Sequence, residues 1–303
     1  MLTTRAYNRV ILVLATIAIS LLAQAANAEV SLPKLFGSNM VLQREMEIPV
    51  WGWAEPGEKV TVKIGQHSVT ATAGDDKRWD VRLPAHKAGG PHMVTVSGTN
   101  SITLENVLIG EVWVCSGQSN MQFGVDSADD ADIEKLTAKY PDIRLITVPQ
   151  AGTQEPQNDF GGDGWSECSP ETVGQFSAVG YYFGRRLHQT LGIPIGLIDN
   201  SWGGSACEAW VRRDVLEADE RYSELLARWA DTEKTYDHAK AVAAYEAQRA
   251  VWQAKAKEAR AAGKAAPNPP RAPRDPLAGQ HRPANLYNGV LKPVIGYGMC
   301  GAI

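Results

Sequence analysis

The 303-residue sequence contains no Cys-x-x-Cys pair, and none of its four cysteines stands at metal-ligand spacing from a histidine. No zinc site, and no metal or organic cofactor, is therefore expected. An excess of positive charge is also missing, with 30 basic against 34 acidic residues. This balance argues against a nucleic-acid surface. No apolar run reaches the roughly 20 residues of a membrane-spanning helix. The Gly-x-Ser-x-Gly elbow of many serine hydrolases is absent as well. Apolar residues make up 44% of the chain, which is enough for a sizeable core.

At the N-terminus, Arg5 and Arg9 precede an apolar run over residues 10–23, followed by Ala26-Asn27-Ala28. That order describes a secretory signal peptide cut after Ala28. Cleavage removes two positive charges and takes the net charge from −4 to −6. A periplasmic or secreted protein follows, without membrane attachment once the signal is cut. In such a compartment a disulfide is feasible, but the spacing of Cys115, Cys168, Cys207 and Cys300 names no pair. Cys115, at the end of an apolar run, reads as a small core residue.

Residues 29–108 carry short alternating runs at 48–51, 60–64, 79–83 and 93–96, with turn signals between them. Evenly spaced short strands predict a β-sandwich. Trp51 and Trp53 share one face by alternation, which favours core packing over sugar stacking. From residue 107 the texture changes. Buried strands are predicted at 107–114, 144–148 and 193–198, and helices at 128–140 and 176–191, the second stopped by Gly192. Strand, helix and strand in this order give an α/β domain over 109–303. Residues 214–264 read as mostly solvated helices, and the five prolines between 267 and 276 preclude regular structure there. The 214–276 segment is thus a helical and Pro-rich insertion, and residues 294–303 read as a final strand.

Two loops follow predicted buried strands. The first, in VWVCSGQSNMQF at 112–123, presents Ser119 at a strand-to-helix turn where Gly117 permits a tight bend. A hydroxyl there is exposed beside backbone N–H groups, the position that a serine nucleophile needs. A helix-capping serine would occupy the same place. The second loop, Trp202-Gly203-Gly204-Ser205, should open at the same sheet edge, where ligand chemistry collects in α/β folds. It carries neither of the common glycine-rich phosphate patterns. Its unobstructed amides instead suit an oxyanion, with Gly203 preferred over Gly204.

The segments LFGSNMVLQR (35–44), VWGWA (50–54), GEVWVCSGQSNM (110–121), IDNSWGG (198–204) and PANLYNG (283–289) together resemble the bacterial sialate O-acetylesterase family of SGNH hydrolases. The resemblance implies that Ser119 is the nucleophile, that its own N–H joins those of Gly203 and Gly204 in the oxyanion hole, and that the substrate is an O-acetylated sugar. Sialic acid is the name-bearing case, and acetylated plant polysaccharide is the alternative. It also implies an oxyanion asparagine in a Gly-Glu-Ser-Asn segment and an Asp-x-x-His base, neither of which is in the sequence. The residues three before His67, His86, His92, His188, His238 and His281 are all non-acidic. The expectation is an incomplete SGNH-like domain that is nearly inactive alone. A non-catalytic carbohydrate-binding scaffold, in which the sandwich does the work, is the rival.

Overall fold

The computed structural model describes residues 29–303 of a mixed α/β chain. The expected signal peptide lies outside the described residues. Seven strands come first: β1 (Val41–Gln43), β2 (Ile48–Trp53), β3 (Lys59–Ile64), β4 (His67–Thr72), β5 (Arg78–Leu83), β6 (Gly89–Ser97) and β7 (Ser101–Cys115). Along β5, buried Trp79, Val81 and Leu83 alternate with exposed neighbours, as a half-buried strand must. Strands β3 and β4 join through a two-residue turn in which Gly65 has φ 55°, the left-handed geometry that favours glycine.

β2 and β5 pair as a separate antiparallel ribbon. Their Val50, Trp51, Trp79 and Val81 share one core with Val60, Val62, Val94 and Val96 of the larger sheet. This is the sandwich that the alternation predicted. Trp51 is buried with its ring edge-on to Phe36 at 4.7 Å, so the core reading of that residue holds. Trp53 is half-buried.

The second half contributes α1 (Ser119–Gln122), α2 (Ala131–Thr137), β8 (Tyr140–Thr147), β9 (Ser166–Cys168), α3 (Ala178–Leu191), β10 (Ile195–Asp199), α4 (Arg213–Glu217), α5 (Ser223–Thr235), α6 (His238–Ala261) and β11 (Gly301–Ala302). Its sheet runs β9–β8–β10–β7–β11, with all pairs parallel except β8–β9. Every residue of β10 is buried, the pattern of a strand covered on both faces.

Strand β7 belongs to both halves. Its first part pairs antiparallel with β6, from Ser97 opposite Ser101 onward. Its last part pairs parallel with β10, from Ile195 opposite Glu111 to Asp199 opposite Cys115. The division expected between residues 108 and 109 therefore falls inside one continuous 15-residue strand. Gly110 sits where the partners change, and a Cβ there would run into the carbonyl oxygen of Pro194. Close approach of the β10 lead-in requires glycine at that point.

Some predicted elements shift, each for a local reason. The helix expected from 176 begins at Ala178, because Ser177 is its N-cap and accepts the N–H of Gly180 at 3.0 Å. It ends at Gly192 with φ 65°. The helix expected over 128–140 shrinks to α2, since Tyr140 precedes Pro141 and takes the extended form that opens β8. The strand expected over 294–303 is only Gly301–Ala302. Upstream of it Gly296 turns at φ 103° and Tyr297 is buried, its hydroxyl donating to the carbonyl of Val41 at 2.8 Å. The helices α5 and α6 are mostly solvated, and Ala256 is the one buried residue of α6. α5 is fastened by Glu233, which accepts from Arg213 at 3.2 Å and Arg282 at 3.0 Å. Residues 267–275 carry no helix or strand.

Candidate active site

The site begins as an extension of the β7–β10 ladder. Beyond the last paired residues, the N–H of Asn200 donates to the carbonyl of Cys115 at 3.1 Å, and that of Trp202 to Gly117 at 3.0 Å. The two loops are thus zipped in register, and Gly117 makes its bend at φ 143°. Ser119 opens the single turn α1 and is exposed. The far end of α1 is fixed by α3, because the N–H of Ala178 donates to the carbonyl of Phe123 at 2.8 Å.

This register brings Ser119 beside the glycine pair. The N–H of Gly204 donates to Ser119 Oγ at 3.3 Å. The N–H of Gly203 donates to Gln122 Oε1 at 2.6 Å. A Cβ built on Gly203 would lie 3.4 Å from Ser119 Oγ and 2.5 Å from Gln122 Oε1. The sequence-predicted residues Ser119, Gly203 and Gly204 are therefore neighbours. Gly203 does not aim its amide at the hydroxyl, however; Gly204 does, while Gly203 serves the glutamine one turn further along α1.

Ser119 borders a cleft of about 600 Å³, whose wall includes Gln122, Asp126, Gln150, Gln175, Asp199 and Ser201. Neutral amides and hydroxyls share this wall with the carboxylates of Asp126 and Asp199 and with Phe123, Val148 and Pro149. Asp126 accepts from Lys135 and from Gln175, each at 2.6 Å. The Lys135 bond, followed by that of Gln175, holds its carboxyl below the usual carboxylate range. Gly174 passes so close that a Cβ would sit 2.7 Å from both Asp126 oxygens. Asp199 ends β10 and is buried. Desolvation pushes its carboxyl up, partly opposed by the O–H and N–H of Ser201, which donate to it at 2.6 and 2.9 Å. Behind it, burial and the Asp199 charge push the Cys115 thiol up to about 12, so that thiol is an inert core group.

No histidine lines the cleft. The rings of His67 and His86 pack together at 4.9 Å in the β half, and His92 is on β6. His188 is half-buried on α3 with Nδ1 2.8 Å from the carbonyl of Ile193. His238 contacts the Tyr236 hydroxyl at 2.9 Å, and His281 is exposed. Among the described residues no cluster of three or more His, Cys, Asp or Glu side chains is arranged to hold a metal ion.

Sequence reasoning missed Gln122, Asp126, Gln150, Gln175 and Asp199. One signal was available for Gln122. It lies three residues after Ser119, so any helical turn there puts both on one face. Gln150 and Gln175 sit in loops, whose placement no periodicity encodes.

Residues 109–249 match the family model described as carbohydrate esterase, sialic acid-specific acetylesterase. The sialate O-acetylesterase of Rattus norvegicus is 38% identical over 199 residues, covering 59% of this chain and 37% of that protein. That of Homo sapiens is 38% identical over 201 residues, covering 60% and 38% respectively. A carbohydrate acetylesterase from Xanthomonas citri, solved by crystallography, is similar at a TM-score of 0.67 and 28% identity, over 90% of this chain and 50% of that one. The chain thus spans 37–38% of the length of these curated relatives.

Proposed function

We propose, from the match of residues 109–249 to the sialic acid-specific acetylesterase model of carbohydrate esterases and from the 38% identity to sialate O-acetylesterases, that the chain removes O-acetyl groups from sialic acid or a related acetylated sugar. Ser119 Oγ attacks the acetyl carbonyl. The sugar oxygen leaves with a proton, and water then releases acetate from the acetyl-serine and restores the hydroxyl. Negative charge on the carbonyl oxygen is met by backbone donors. One is the N–H of Ser119, which at the first residue of α1 has no intrahelical acceptor. The others come from the Gly203-Gly204 pair. The observation that carries this reading is the convergence of the Ser119 hydroxyl and the glycine amides at the rim of a polar cleft. The sugar class comes from the relatives, and the three glutamine amides in the cleft wall suit a hydroxyl-rich ligand.

The proposal includes slow turnover. A serine without a paired base typically loses ~10⁴-fold or more in rate, and the described cleft has no histidine. It also includes export through residues 1–28 and no stable membrane attachment; no helix among the described residues is long and apolar enough to cross a bilayer. The same lack of histidine favours, as a second reading, a chain that binds acetylated carbohydrate without cleaving it. Hydrolysis of p-nitrophenyl acetate and of O-acetylated sialic acid, with Ser119→Ala as control, separates the two. Serine-dependent acetate release supports the esterase. Saturable sugar binding without release supports the binder. Hydrolysis unchanged in Ser119→Ala removes Ser119 as nucleophile.

A further inference from the structure

Gln122 occupies the amide of Gly203. Its Oε1 lies 2.6 Å from the amide nitrogen of Gly203, and the same oxygen would be 2.5 Å from a Cβ on Gly203, the atom that would otherwise approach Ser119 Oγ to 3.4 Å. Only an oxygen can face that N–H, which fixes the orientation of the side-chain amide. Nothing else buried or ionic holds Gln122 there. Its residue is exposed, and it forms part of the cleft wall. An amide carbonyl oxygen is sp² and partly negative, as an ester carbonyl oxygen is. It therefore satisfies the donor in the way that an acetyl group bound at Ser119 would. In the resting site both glycine amides are engaged internally, Gly203 by Gln122 and Gly204 by the Ser119 hydroxyl.

We propose that Gln122 is a resident occupant of the Gly203 amide, a positioning residue that the substrate carbonyl must displace before Ser119 can be acylated. The idea rests on Ser119 being the centre of the site and adds a residue to it. Gln122 follows Ser119 by one helical turn, so the swing needs only side-chain rotation. The open cleft receives the displaced amide, where it can hydrogen-bond the sugar that carries the acetyl group. The bond that is broken is exposed and neutral, so its removal changes affinity modestly, by about three- to tenfold. In exchange, the donor never stands bare against water, which keeps the N–H aimed at the space beside Ser119.

The probe is acetate, whose carboxylate oxygen seeks the same N–H and which needs no catalysis. Its dissociation constant is read from the ¹⁵N–¹H shifts of Gly203 and Gly204 in the full chain. In Gln122→Ala it should fall about three- to tenfold. In Gln122→Glu the charged acceptor grips Gly203 more tightly, and acetate should bind more weakly than in the unsubstituted chain. Repeating the titration in Ser119→Ala should preserve the difference made by Gln122. An equal or higher acetate constant in Gln122→Ala overturns the proposal, and so does the lack of any acetate-dependent Gly203 shift in both forms. Where turnover is measurable, Gln122→Ala should lower KM for p-nitrophenyl acetate at unchanged kcat; a fall in kcat at constant KM makes Gln122 a transition-state contact and overturns its role as an occupant. Absence of Ser119-dependent hydrolysis bears on the esterase reading alone, since the acetate titration does not use it.

Discussion

The Gly204 N–H and the Ser119 hydroxyl oxygen meet at 3.3 Å across 85 residues of chain. No local feature of either loop produces this contact. It follows from the parallel register that sets Asp199 opposite Cys115 and is carried forward by the Asn200–Cys115 and Trp202–Gly117 bonds. The hydroxyl and the amides are consequently fastened to the two central strands of the sheet. Positioning of this kind, on rigid elements, is what stabilising a developing charge requires.

Gly203→Ala places a methyl group 2.5 Å from Gln122 Oε1 and 3.5 Å from Ser119 Cα. Gln122 can swing away, but the backbone of α1 cannot, and the methyl group fills the space of an acyl oxygen. Loss of about 10²-fold in kcat/KM is expected, with thermal stability nearly unchanged. Gly204→Ala behaves differently. Its φ of +70° costs an L-residue about 1–2 kcal/mol, so it should lower the unfolding midpoint as well. Steady-state kinetics and denaturant unfolding of both variants check the contrast.

Asp199→Asn should stabilise the fold at neutral pH. The buried carboxyl is shifted up, chiefly by desolvation. An acid whose folded value exceeds its unfolded one favours folding most at low pH and loses that contribution as pH rises from the unfolded value, near 3.9, through the folded one. Asparagine keeps an oxygen to accept the two Ser201 donors and never ionises. The stability difference between variant and parent should therefore grow from acid to neutral pH. Urea titrations at several pH values measure it, and a pH-independent difference contradicts the assignment.

Arg144→Met should cost about 3 kcal/mol. The guanidinium is 2% exposed and donates to Pro141 O at 2.6 Å, to Asn39 Oδ1 at 3.1 Å and to Asn106 Oδ1 at 3.2 Å, with Glu167 3.3 Å away. It ties β8 to the sandwich half at the turn of Asn39 (φ 67°) and at Asn106 (φ 56°) within β7. Methionine fills the volume but leaves Pro141 O and Asn106 Oδ1 without this donor, while Asn39 Oδ1 and Glu167 Oε1 keep only the Asn106 amide, at 2.9 and 3.0 Å. Equilibrium denaturation reads the loss, and a change within 1 kcal/mol would show the network to be solvated.

A thiol reagent should modify two cysteines in the native chain and four after denaturation. Cys207 and Cys300 are exposed, whereas Cys115 and Cys168 are buried. Burial pushes the Cys168 thiol, like that of Cys115, up to about 12. Mass spectrometry after brief alkylation identifies the sites; rapid labelling of Cys115 would mean that the floor of the site opens.

The pattern of β5 was legible because alternation in sequence is alternation across a pleat. The caps of α3 were legible in part. Gly192 is a stop that composition shows, whereas the N-cap role of Ser177 rests on its side chain accepting the N–H of Gly180. Strand β7 misled in the opposite way. Its change in texture near residue 107 marks a change of partners, from β6 to β10, and not a break in the chain. Gln150 and Gln175 could not be read at all, since they enter the cleft wall from loops on different sides of it.

The sequence by itself determined that Ser119 would stand just past a buried strand, that a pair of glycines would stand just past another, and that both would open at one edge of an α/β sheet. Those are consequences of local composition, which acts along the chain. Only the tertiary structure decided which amide faces the hydroxyl and which faces Gln122. That choice depends on the register between β7 and β10, where a shift of one residue would move every donor by about 3.3 Å and leave each local sequence preference unchanged.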